Sequence, residues 1–160
     1  LAYPYGLRPA VIPLTIVCGP PASGKSSYVQ KRAGPEDLVL DLDEIGVRLS
    51  GSSTMHDWSR SHLGAALNER NRYLREIGQP CSWPAAWFIV GAQKAKERQW
   101  WKDKHQPRNI NLLVPPADLC HERIRDRGGV REMQQHNAVD EWFLRSRLTA
   151  GTEDIDAHVA

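Results

Sequence analysis

Cysteine is scarce in this 160-residue sequence: Cys18, Cys81 and Cys120 are scattered, odd in number and without metal-ligand spacing. That argues against a disulfide scaffold or a structural zinc site as the organising device, and a reducing cytoplasm is the expected setting. Long apolar runs are lacking too. None approaches the ~20 residues needed to span a bilayer, and the opening Leu1-Ala2-Tyr3-Pro4-Tyr5 has neither the basic start nor the apolar core of a signal peptide. A soluble protein with no membrane partner is expected. Charge of either sign is in small excess: 21 Lys and Arg against 19 Asp and Glu give a formal +2. That balance permits a nucleic-acid partner but is far from the basic footprint that would argue for one. The six histidines show no ligand spacing, and repeats, linkers and low-complexity segments are absent. One domain spanning 1–160 is expected, large enough to bury a core, and its oligomeric state is not legible.

What is present is concentrated in Gly19-Pro20-Pro21-Ala22-Ser23-Gly24-Lys25-Ser26, preceded by the apolar run Leu14-Thr15-Ile16-Val17-Cys18 and followed by a helical pattern. The spacing fits G-x-x-x-x-G-K-[ST] in the order strand, loop, helix. Such a loop turns successive backbone N–H groups inward and aims the positive end of the next helix at the same point, so it binds a polyphosphate. Lys25 would reach the β- and γ-phosphates and Ser26 would offer its hydroxyl to Mg²⁺, with Ser27 continuing the cradle. Gly19 and Gly24 allow close backbone approach. ATP with Mg²⁺ is therefore the expected ligand pair.

Residues 1–13 carry three prolines and read as an extended arm, either an edge strand or a loose tail. Strands are expected at about 14–18, 38–40, 87–90 and 109–114. Helices are expected at about 26–33, 57–77, 95–104, 117–127 and 138–148, with 149–160 a frayed tail. Strands alternating with helices indicate an α/β domain with a mainly parallel sheet, whose ligand lies outside the carboxyl ends of the strands.

Asp41 and Asp43 leave the second strand at i and i+2 and point the same way if the chain stays extended. Asp43 is the expected base for an attacking hydroxyl, and Asp41 the carboxylate that helps orient Mg²⁺ or water. The plainer alternative is that Asp43 merely caps a helix starting near Glu44. Arg123, Arg125, Arg127 and Arg131 surround Gly128-Gly129 and suggest a basic lid over the transferring phosphate, although a helix C-terminus favours such residues anyway. Arg70 falls on the apolar stripe of its helix and either snorkels or faces a cleft. Trp58, Trp100 and Trp101 are more readily core residues than base-stacking platforms.

With these residues assembled, the sequence resembles the P-loop kinases that include polynucleotide 5′-hydroxyl kinases, zeta toxins and shikimate kinase. The resemblance is carried by Gly19 to Ser26, Asp41-Leu42-Asp43-Glu44, Trp87 to Val90 with Glu97-Arg98 and Trp101, and Asp118 to Gly128. It implies a three-layer α/β/α P-loop NTPase sandwich with strand order 2-3-1-4-5. It also implies that Lys25 and Ser26 hold the triphosphate and Mg²⁺, that Asp43 faces the acceptor hydroxyl, and that Arg123 or Arg127 lies over ATP. The implied activity is γ-phosphate transfer to a hydroxyl, of a nucleic-acid 5′-end or a nucleotide-like small molecule; a nucleic-acid-associated ATPase is the alternative. The segment order is also similar to that of small P-loop proteins encoded by tailed phages. Two positions depart from the polynucleotide-kinase pattern: Gly91 stands where an acid often ends the third strand, and Gly46 where an arginine commonly follows the catalytic acid, with Arg48 out of register.

Overall fold

The computed structural model describes residues 3–148 and 156–158. Strands β1 (Leu14–Cys18), β2 (Leu38–Asp41), β3 (Ala86–Val90), β4 (Asn109–Leu113) and β5 (Asp156–His158) form one sheet in the order β2-β3-β1-β4-β5. Every pairing is parallel, with β1 central between β3 and β4. Helices α1 (Lys25–Arg32), α2 (Leu42–Ser50), α3 (Leu63–Glu76), α4 (Ala95–His105), α5 (Ala117–Arg127) and α6 (Glu132–Leu148) provide the connections.

Strand alternation builds the layers. Leu14, Ile16 and Cys18 of β1 share one core cluster with Leu74 of α3, Trp101 of α4 and Trp142 of α6. Val17 points to the opposite face and packs with Ile89, Leu113 and Val29 of α1. A sheet buried on both faces needs near-continuous apolar strands, which LTIVC and AWFIV supply. The result is the three-layer α/β/α sandwich of P-loop NTPases.

Among its described residues, the arm preceding β1 forms no strand. Val11 N–H donates to the Ile77 carbonyl at 2.8 Å and Ala10 N–H to that of His105 at 2.8 Å, while Leu7, Ala10 and Ile12 pack on the core. Helix α2 is not among the expected helices, and element boundaries differ from expectation elsewhere. The long helix expected from residue 57 begins only at a short 3₁₀ turn, Arg60–His62, where Ser59 caps by accepting the Ser61 N–H. Helix α6 starts at Glu132 rather than 138, because its polar first turns gave no apolar periodicity. Strand β5 lies within the stretch expected to be a tail, of which 149–155 and 159–160 fall outside the described residues.

Candidate active site

The phosphate loop is shaped by backbone. A Cβ on Gly19 would stand 2.4 Å from the Leu113 carbonyl oxygen, so only glycine allows the loop to lie this close to β4. Gly24 (φ 95°) and, less commonly for a residue with a side chain, Ala22 (φ 61°) are left-handed, which folds the loop back over itself. Buried Ser23 closes the turn by donating its N–H to the Pro20 carbonyl. Gly24 caps α1 without a side chain, so no side-chain acceptor competes for the first-turn N–H groups. The Lys25 ammonium donates to the Gly19 and Pro20 carbonyls at 2.9 and 2.7 Å. Desolvation pulls Lys25 down to about 8, against the opposing charge of Asp41.

Across the loop, Ser26 donates its hydroxyl to Asp41 Oδ2 at 2.8 Å. Asp41 is buried, and that burial raises its carboxyl above the ordinary range. The chain does not stay extended after Asp41, so the two carboxylates reach the same cavity by the turn into helix α2 and not by strand alternation. Helix α2 starts at Leu42 and Asp41 is its N-cap, accepting the Asp43 N–H at 3.0 Å. Asp43 is thereby freed from capping and projects from the first turn of α2. Its Oδ1 accepts the indole N–H of Trp58 at 2.8 Å.

Lys25, Ser26, Ser27, Asp41, Asp43 and Arg127 open on one cavity of about 380 Å³, with Pro21, Ala22, Ser23 and Gly24 in its wall. Arg127 donates to His56 Nε2 at 2.8 Å and to the Gln135 side-chain carbonyl at 2.6 Å. Burial and the Arg127 charge hold His56 below its usual range, which suits an accepting nitrogen. Arg123 instead donates to the Ala22 carbonyl at 3.0 Å and lines an adjoining hollow with Tyr28 and Arg32. Arg131 lines the main cavity; Arg125 does not. The link Gly128-Gly129 turns under the segment before α3, where a Cβ on Gly129 would meet the Asp57 carboxylate at 2.6 Å.

Met55, His56, Arg60, Gln134 and Gln135 also line the cavity, and nothing in the sequence marks them. They come from the 52–60 loop and the first turns of α6, the two stretches expected to be helical or structureless. Trp58 and Trp101 are core residues, and Trp100 stacks on Tyr3. Arg70 is held over the Phe88 and Trp101 rings away from the cavity, and burial pulls it down to about 10. Arg48 pairs with Glu69 on α3 and takes no place in the cavity either. The space around Gly91 is open, so packing does not demand glycine there.

Residues 14–147, most of the chain, match the AAA-domain family. The protein belongs to that family. Two solved structures place this AAA-domain protein within the P-loop kinase fold. Shikimate kinase from Acinetobacter baumannii is 18% identical at a TM-score of 0.55, over 94% of this chain and 86% of that one. Shikimate kinase from Bacteroides thetaiotaomicron is 12% identical at 0.51, over 92% and 86%. At these identities the likeness concerns fold. No curated protein sequence matches the chain. The AAA-domain protein has a nucleotide-binding P-loop fold of kinase type, and among its described residues no helix is long and apolar enough to cross a membrane.

Proposed function

We propose that the protein is an ATP-dependent phosphotransferase that moves the γ-phosphate to a hydroxyl, with a nucleic-acid 5′-hydroxyl or a nucleotide-like small molecule as acceptor. The observation that carries this reading is that Asp43, released from capping by Asp41, opens on the same cavity as Lys25 and Ser26. A hydrolytic switch needs only to place water, whereas a carboxylate opposite a phosphate loop suits removal of a proton from an alcohol.

In the proposed reaction the acceptor oxygen bonds to the γ-phosphorus as the bond from that phosphorus to the β,γ-bridging oxygen breaks. The hydroxyl proton passes to Asp43 Oδ2 and ADP leaves. Lys25 exchanges its loop carbonyls for phosphate oxygens, and Arg127 and Arg131 lie where they offset charge on the group in transfer. Ser26 and Asp41 suit Mg²⁺: they form a hard-oxygen pair 2.8 Å apart, and one of the two is a buried carboxylate. Bound Mg²⁺ would neutralise charge on the β- and γ-phosphates. Arg60, which also lines the cavity, favours an acceptor that carries an anion.

The ATPase reading keeps one observation in its favour, the missing acid at Gly91. Labelled γ-phosphate offered with 5′-hydroxyl DNA and RNA oligonucleotides and with nucleosides separates the two. Label on an acceptor, lost in Lys25→Ala and Asp43→Asn, is the expected result; label released only as free phosphate under nucleic-acid stimulation would overturn it.

A further inference from the structure

We infer that Trp58 is a positioning residue for Asp43, and that Gly46 is required because the Trp58 ring occupies the space a side chain there would take. The inference rests on the reading of Asp43 as the base. Three observations meet at this point. The Trp58 indole N–H donates to Asp43 Oδ1 at 2.8 Å. Trp58 is only 1% exposed, held among Ile45, Ala66 and Leu63, so the donor is fixed by packing rather than by solvent. A Cβ on Gly46 would stand 2.3 Å from Trp58 Cδ2 and 2.4 Å from Cε2, which places the ring against bare α2 backbone one turn after Asp43.

The consequence for chemistry is directional. A carboxylate on the first turn of a helix can rotate about χ1 and χ2, and its two oxygens are equivalent until one is engaged. Indole nitrogen is a donor only, so it can bind the carboxylate but never compete for the acceptor proton. With Oδ1 engaged, Oδ2 is the oxygen left to receive that proton. The position that loses an arginine relative to polynucleotide kinases is thus the position that lets an indole reach the base.

The test combines kinetics with a signature of the contact itself. Trp58→Phe keeps an aromatic ring and removes the N–H. It is expected to lower kcat about 10- to 100-fold, the range of a hydrogen bond to a charged group, with KM for ATP unchanged. In an Asp43→Asn background the same substitution is expected to add nothing further, because its effect runs through Asp43. In ¹⁵N-tryptophan-labelled protein, the indole resonance that Trp58→Phe deletes is expected to shift in Asp43→Ala while the other indole resonances stay in place. Phosphate transfer by the wild type with an unchanged kcat in Trp58→Phe, or with equal losses in both backgrounds, or with an unmoved resonance, overturns the positioning role alone. No transfer by the wild type to any acceptor overturns the kinase reading and this role with it.

Discussion

The two sides of the cavity are built by opposite means. The phosphate side is one continuous stretch, 19–27, whose shape is set by backbone: two glycines, a left-handed alanine and a helix start with no side-chain cap. The facing side, where we propose that the acceptor binds, is assembled from side chains on α2, the 52–60 loop, the end of α5 and the start of α6. Its contacts join residues far apart in sequence, such as Trp58 to Asp43 and Arg127 to His56. A local motif fixes a common ligand, the polyphosphate, and a non-local assembly is free to vary for the other. That difference is why the nucleotide side reads plainly while the acceptor does not.

The comparison can be broken from either side. The largest effect is expected from Asp43→Asn, which removes the proposed base and should lower acceptor phosphorylation by about 10²- to 10⁴-fold while ATP affinity, measured by calorimetry, stays within twofold (about 0.4 kcal/mol). Lys25→Ala strikes the other half, with transfer reduced by about 10²- to 10³-fold and nucleotide binding weakened along with it. Equal loss of ATP binding in both variants would show that the two halves are not separable.

A smaller effect is expected from pH alone. Burial holds Lys25 at about 8 in the free protein, and a bound triphosphate would select its charged form. ATP affinity should therefore fall as pH rises through that value, by about tenfold per unit above it, and this fall should vanish in Lys25→Ala. The smallest effects separate two glycines by stability. Gly46→Ala forces carbon against the Trp58 ring and should cost about 1–3 kcal/mol by denaturant titration, whereas Gly91→Ala enters open space and should stay within about 0.5 kcal/mol.

The sheet, its parallel strands and the phosphate loop were legible because each is a local signal: an apolar run, a glycine spacing, a helix stop. The fifth strand was not, since Asp156–His158 offers three residues with no apolar pattern. Asp41 and Asp43 were legible as a pair but not in geometry, because the expectation that the strand continues hid the turn into α2 at Leu42. Ser59 is a capping signal for the late helix start, whereas the apolar stripe that follows marks no N-terminal boundary. Trp58, His56 and Gln135 carry no spacing at all. Their roles arise only when the 52–60 loop is folded against α2 and the α5–α6 junction.

The most direct test of the account is transfer of labelled γ-phosphate from Mg-ATP to a hydroxyl acceptor by wild type and Asp43→Asn, with ATP binding measured in the same samples. The account predicts labelled acceptor from the wild type, almost none from Asp43→Asn, and equal ATP binding by both. Undiminished acceptor labelling by an Asp43→Asn protein that binds ATP normally would contradict it.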